Sequence, residues 1–254
     1  LPIVDKPCIQ YLVEEAVKSG ITEIIIITNK NKNVLKDYFS HSEYLAENLK
    51  EKNHHNLLAE IEKIIKMAKF IYVDQPKPHG DGHAILCAEK YIKNEPFAVL
   101  FGDDIYDSKV PAIKQLIQQY EKTKTPIVAL HKINKKDSKK YGMIKTENQK
   151  AGLHKIKDLI EKPDPKNAPS NMAIAGKYIV TPELFKALKN ANPGTNKELR
   201  LIDGMREFIK KSPIYGYEVK GTRFDTGDKL GYIKAVIHFA KKSLPEFKSG
   251  FKMP

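Results

Sequence analysis

The chain has 254 residues, 41% hydrophobic and 30% charged, a globular balance that excludes wholesale disorder and gives room for one large domain or two small ones. Its longest apolar run, around Ile24–Ile27, is far shorter than the roughly 18 residues of a membrane helix. A net charge of +13 raises nucleic acid as a partner, but only Arg200, Arg206 and Arg223 are arginines, and the lysines scatter apart from one cluster at Lys132, Lys135, Lys136, Lys139 and Lys140.

In chain order, Ile9, Leu12, Val13 and Ala16 fall on one face of a helix that Gly20 ends. Glu23–Thr28 is a β-branched run, apolar on both faces, which suits a strand buried in a parallel sheet. Polar helical stretches are predicted near 31–39 and 42–52. Leu57, Leu58, Ile61, Ile64, Ile65 and Ala68 then line one face of an amphipathic helix. A strand at Phe70–Val73, a helix over 83–93, a strand at Phe97–Phe101, a helix near 111–122 and a strand at Ile127–His131 follow. After about residue 140 come short strands near 142–146, 153–160 and 172–180, helices at 182–190 and 198–211, a strand at Pro213–Val219 and a closing helix at 228–242. This alternation predicts an α/β fold, a mixed and mostly parallel central sheet flanked by helices, with 1–254 as a single domain.

Ligands of open α/β sheets bind at the carboxyl ends of strands. Asp103 and Asp104 leave the strand Phe97–Phe101 after Gly102, and two readings fit them equally: a magnesium-binding carboxylate pair, or a polar turn in which Asp104 starts a cap. Asp225, in Phe224-Asp225-Thr226-Gly227, reads first as the N-cap of the closing helix and second as another acidic ligand. The segment from Gln75 to Ala84 carries two prolines and two glycines, either a backbone shaped to approach a ligand or a plain loop; the Gln75 amide could read a base edge. Glu161-Lys162-Pro163 follows a strand and reads as a surface ion pair or as a sugar and phosphate contact. Tyr141-Gly142 and Ser170-Asn171 carry weaker signals, and His79 and His83 read as loop polar groups. Cys8 and Cys87 read as core; two cysteines make neither a disulfide framework nor a zinc site. No export signal is visible, so the cytoplasm is the expected compartment, with no membrane partner.

Taken together and in order, LPIVDKPCIQY (1–11), GITEIIIIT (20–28), the segment from Gln75 to Ala88, EPFAVLFGDD (95–104), YGMI (141–144), IEKP (160–163), APSNMAIAGKYI (168–179) and FDTGDKLGY (224–232) resemble the sugar-1-phosphate nucleotidyltransferases, most closely the bacterial UTP–glucose-1-phosphate uridylyltransferases. The resemblance covers essentially the whole chain. It implies a Rossmann-like nucleotidyltransferase fold, with a nucleotide-binding half over 1–140 and a sugar-binding half with the C-terminal helix over 141–254. It assigns Gln75 and Gly80 to the uracil, and Asp103 and Asp225 to magnesium on the nucleotide phosphates. Gly142, Glu161 and Asn171 fall to the glucosyl group, and Lys162 to the sugar phosphate; Asp103, Lys162 and Asp225 are the implied catalytic set. The implied substrates are UTP and glucose 1-phosphate, the products UDP-glucose and pyrophosphate, and the implied assembly a homo-oligomer. Attack by the sugar phosphate is in line, and no protein nucleophile is needed.

Two departures stand out. The family opens with a buried strand and a Gly-x-Gly-Thr-Arg loop that holds the triphosphate, and residues 1–254 contain neither. The expectation is therefore that this stretch alone is poorly stable and nearly inactive, and that the natural protein starts further upstream. Arg200 and Ile202 stand where the family usually has Gln and Thr, on the sugar side. The runner-up readings are a thymidylyltransferase of the same family and a non-catalytic nucleotide-sugar-binding homologue.

Overall fold

The computed structural model describes residues 1–29, 33–150, 152–193 and 197–245, the side chains of 148–150 apart. Their contacts form two units. One gathers Leu1–Ser19, Pro96–Thr181 and the stretch from Ser212 onward; the other gathers Gly20–Glu95 and Pro182–Lys211.

The first unit is built on a six-stranded sheet in the order Phe97–Leu100, Met172–Val180, Ile127–Lys132, Tyr215–Glu218, Leu153–Glu161, Gly142–Lys150. All nine residues of Met172–Val180 are buried, as a strand covered on both faces requires. The hairpin Gly142–Lys150/Leu153–Glu161 curls back until Met143 pairs with Ala173. The helix Ala112–Thr123 presents Ala112, Ile113 and Leu116, none of them exposed. Its N-terminus has no capping side chain of its own, and the Glu15 carboxylate takes that role by accepting from the Ile113 N–H at 2.9 Å.

A separate antiparallel pair, Asp104–Asp107 with Thr222–Asp225, positions the carboxylates. Its period-two alternation sends Ile105 and Phe224 into a core with Ile3, Cys8, Leu12 and Ala235, the last from the closing helix Lys229–Ser243. Burying two side chains of that size contributes about 2–3 kcal/mol each. Asp104, Arg223 and Asp225 fall on the opposite face.

The second unit pairs Glu23–Thr28 with Lys69–Asp74 in parallel register. The connection carries the helices Val34–Tyr38, Glu43–Glu51 and His55–Ile65. The ring of Phe39 stacks on Phe70 at 4.5 Å. Asp81–Cys87, Glu183–Asn190 and Leu201–Ile209 complete this unit.

The expected elements recur within a few residues, with the predicted start at 31 outside the described residues. The balance of pairings differs from the expectation. The α/β class stands, but only Glu23–Thr28 with Lys69–Asp74 and Ile127–Lys132 with Tyr215–Glu218 pair in parallel among the described strands. The rest are antiparallel because the chain beyond residue 140 returns by a hairpin, and because Met172–Val180 runs back between two earlier strands. Helix 83–93 is a short α-helix, Asp81–Cys87, followed by a 3₁₀ turn at Glu89–Tyr91. Several described elements have no counterpart in the expectation: the paired strands Asp104–Asp107 and Thr222–Asp225, the two-residue strands Pro2–Ile3 and Lys6–Pro7, and the 3₁₀ turns Lys135–Lys140 and Pro165–Asn167.

Candidate active site

The strand pair brings Asp104 directly opposite Asp225, with Asp103 one residue outside the pairing. The turn after Asp225 ties the two acidic segments together. The Thr226 N–H donates to the Asp103 carbonyl at 2.7 Å, and the Thr226 hydroxyl donates to the same oxygen at 3.0 Å. At Gly227 a Cβ would stand 2.7 Å from Asp103 Oδ2 and 3.3 Å from Asp225 Oδ1, so two carboxylate oxygens converge where only a hydrogen fits. The Gly227 N–H donates to Asp225 Oδ1 at 3.2 Å.

Burial holds the Asp103 carboxyl above the usual carboxylate range, and the charges of Asp225 and Asp104 push it the same way. Two carboxylates whose oxygens converge in this way suit a divalent cation. The donor set is all oxygen, as magnesium prefers, with coordination left to water and substrate phosphates. Among the described residues no group of three or more His, Cys, Asp or Glu side chains is placed to hold a metal unaided.

Asp225 is not the cap of the closing helix; Asp228 is, accepting from the Gly231 N–H at 3.1 Å. Asp104 is not a turn residue. It is 2% exposed and gripped by Arg223, whose Nε lies 2.9 Å from both carboxylate oxygens and whose Nη2 lies 2.7 Å from Oδ2. Arg223 Nη1 meets His131 Nε2 at 3.0 Å. Burial and the neighbouring guanidinium push His131 down to about 3, so its imidazole is neutral and Nε2 accepts. The Tyr141 ring lies 5.0 Å from the guanidinium carbon, and Tyr141 also interacts with Asp225. Arg223 was missed as a candidate. Its signal was the alternation Arg223, Asp225 around the apolar Phe224, which the reading of the arginines as charge alone passed over.

Gly142 and Glu161 are register partners at the end of the hairpin. Lys162 follows with φ +44°, a left-handed conformation that only a constrained lysine adopts, and its N–H donates to the Tyr141 carbonyl at 3.2 Å. Its amine stands 3.7 Å from the Glu161 carboxylate, and its side chain is 54% exposed. Asn171 is exposed two residues before the Ala173–Met143 pairing, and its carbonyl accepts from the Ile133 N–H at 3.0 Å. Tyr141 thus adjoins Gly142 in sequence, bonds Lys162 through its backbone and reaches Asp225 through its side chain.

In the other unit, Gln75 Nε2 donates to the Gly80 carbonyl at 2.9 Å and meets His83 Nδ1 at 3.1 Å. Gly80 has φ +99°, and a Cβ there would stand 2.2 Å from the Leu199 carbonyl oxygen. The Leu199–Leu201 segment binds this loop closely: Leu199 N–H donates to the His79 carbonyl at 2.8 Å, and Leu201 N–H donates to Asp81 Oδ1 at 2.6 Å. Arg200 contributes its own N–H to Asp203 at 3.0 Å. The lysine cluster is partly neutralised, with Lys132 on Glu218, Lys139 on Asp164 and Lys140 on Asp228. No helix among the described residues is long and apolar enough to cross a membrane.

The Nucleotidyl transferase family matches residues 1–242. The chain belongs to this family. A UTP–glucose-1-phosphate uridylyltransferase of Bacillus subtilis (strain 168), YngB, is 45% identical over 235 residues, which span 92% of this chain and 79% of that relative. A solved UDP-glucose pyrophosphorylase in complex with UDP-glucose is 42% identical, with a TM-score of 0.87 over 95% of this chain and 89% of its own. A UTP-bound enzyme of the same kind from Acinetobacter baumannii is 30% identical, with a TM-score of 0.89 over 97% of this chain and 87% of its own.

Proposed function

We propose that the chain transfers a uridylyl group from UTP to glucose 1-phosphate, giving UDP-glucose and pyrophosphate. The observation that carries the reading is the meeting of Asp103 and Asp225 beside Gly227 in a chain 45% identical to a UTP–glucose-1-phosphate uridylyltransferase. A divalent ion held there, magnesium in the cell, supplies charge neutralisation for the nucleotide phosphates. The chain's own residues do the placing. Asp103 and Asp225 would hold that ion. Lys162 offers its exposed amine to the sugar phosphate, offsetting the repulsion between the substrates. Glu161 and Asn171 accept from and donate to sugar hydroxyls, and Gly142 leaves room beside them. The Gln75 amide, fixed by Gly80, meets the uracil edge. A sugar-phosphate oxygen then attacks the α-phosphorus in line, one P–O bond forms as the bond to pyrophosphate breaks, and no covalent enzyme intermediate arises.

The test is pyrophosphate release from glucose 1-phosphate, with UTP and dTTP in parallel and with and without magnesium. Release that depends on magnesium and favours UTP is the expected result. Equal use of dTTP overturns the uridylyl assignment. Binding of UDP-glucose without any pyrophosphate release overturns the enzyme reading.

A further inference from the structure

Asp104 shares a face with Asp225, yet its oxygens are already taken. Oδ2 accepts from the Gly176 N–H at 2.7 Å, and both oxygens accept from the Arg223 fork. The guanidinium is equally committed. One edge grips Asp104, Nη1 rests on His131, the Tyr141 ring covers it, and Nη2 faces Asp225 Oδ2 at 3.9 Å. Its side chain is 13% exposed, so it is fixed within the unit rather than reaching for a substrate. Asp225 is therefore held from both ends: Oδ2 toward Arg223, Oδ1 toward the Gly227 N–H and the side where Asp103 Oδ2 lies.

We propose that Arg223 is a positioning residue for the cation-binding carboxylates: its fork cancels the charge of Asp104, and the Nη2 end of that same fork turns Asp225 so that Oδ1 stands beside Asp103. The inference rests on the reading that Asp103 and Asp225 receive the divalent ion. Three carboxylates on adjoining positions repel one another. Without a cation of the protein's own among them, Asp225 rotates away from Asp103, and the site must be rebuilt each time an ion arrives. A lysine at the same position keeps the charge but lacks the planar fork that holds Asp104 and Asp225 at once. Tyr141 extends the frame, since it touches both Arg223 and Asp225.

The experiment is direct titration of Mn2+ binding, read as the fall in free-ion electron paramagnetic resonance, alongside thermal unfolding. It compares the wild type with Arg223→Lys, Tyr141→Phe and Asp103→Asn. Asp103→Asn tests the underlying reading: loss of binding supports it, and wild-type binding, or no binding by the wild type itself, overturns both reading and inference. With that control in place, Arg223→Lys is expected to weaken Mn2+ by at least about tenfold, the usual effect of removing a group that orients a metal ligand. Tyr141→Phe is expected to weaken it about threefold, the scale of one lost hydrogen bond. A melting temperature that drops in Arg223→Lys while Mn2+ affinity stays within twofold of wild type marks a purely structural role and overturns the inference. Should Arg223→Lys fail to fold, Tyr141→Phe decides, and unchanged affinity there overturns it.

Discussion

At Asp103 and Asp225 geometry is held by side-chain charge, whereas at Gln75 and Gly80 it is held by backbone. The carboxylates sit at the end of a strand pair in which the neighbouring Asp104 and Arg223 compensate one another. The glutamine loop owes its shape to the Leu199–Leu201 segment pressed against Gly80, with no room for even a methyl group. The lesson is that the same degree of order has different weak points. The carboxylates of the first region should fail on loss of charge at unchanged size, and the second region on added size at unchanged charge.

The strongest way to break that contrast is Asp225→Asn, which keeps shape and removes charge. It is expected to cut the rate of pyrophosphate release by about 10²–10³-fold, comparable to removing a preorganised electrostatic group, while the melting temperature hardly moves. A large loss of stability instead would mean that the carboxylate serves the fold. The converse is Gly80→Ala, which adds a methyl group and no charge. With φ +99° and the Leu199 oxygen 2.2 Å from the new carbon, it is expected to cost about 3 kcal/mol in chemical denaturation.

A pH series sharpens the comparison. The Asp103 carboxyl is held above its ordinary value by burial and by Asp225 and Asp104, so the folded protein takes up its proton more readily than the unfolded chain. Its contribution to stability is complete below the ordinary aspartate value and is lost as pH rises through the raised one. Affinity for a divalent ion should run the opposite way, rising with pH over the same window as the proton leaves. Asp103→Asn should flatten both trends, and melting curves with Mn2+ titrations at several pH values would show it.

The smallest expected effect is the most diagnostic. Lys162 stands at φ +44°, which costs a non-glycine residue about 1 kcal/mol or more. Lys162→Gly should therefore raise stability by up to about 1 kcal/mol, the relief of strain outweighing the added freedom of the unfolded chain. The same change should raise the KM for glucose 1-phosphate about tenfold by removing a charged hydrogen-bond donor. A variant that loses stability and keeps its KM would place Lys162 outside the sugar phosphate contact.

Much of the α/β architecture was legible because it lies in long periodic runs. Ile9, Leu12, Val13 and Ala16 mark a helix, Cys8–Lys18, and the isoleucines of Glu23–Thr28 mark a strand with no further context. Asp103 and Asp225 were legible as acidic residues beside structure, but not as neighbours. Their meeting depends on Asp104–Asp107 and Thr222–Asp225, four residues each, too short for periodicity to stand out and paired across more than a hundred residues. The parallel majority was misjudged for a related reason. Apolar strands look alike whichever direction they run, and the direction of Met172–Val180 is set by its partners. Arg223 was invisible as a frame residue because its meaning lies in what surrounds it: Asp104, His131 and Tyr141, drawn from three other parts of the chain.

The pairing of Asp104 with Arg223 spans 119 residues of sequence, and this has a bearing on biosynthesis. As the chain leaves the ribosome, Asp103 and Asp104 emerge long before their partners. Until Arg223 follows, Asp104 is an uncompensated acid beside half-built apolar surface, and the Ile105 side chain lacks Phe224 to cover it. Closing so long a loop is slow compared with forming the local helices. The carboxylate corner is therefore among the last parts of its unit to assemble, and a nascent chain stalled before residue 222 carries Asp103 without Asp225. On the proposed reading of these two carboxylates as cation ligands, metal binding reports completed synthesis and folding together, and following it during in vitro translation would time the final folding step.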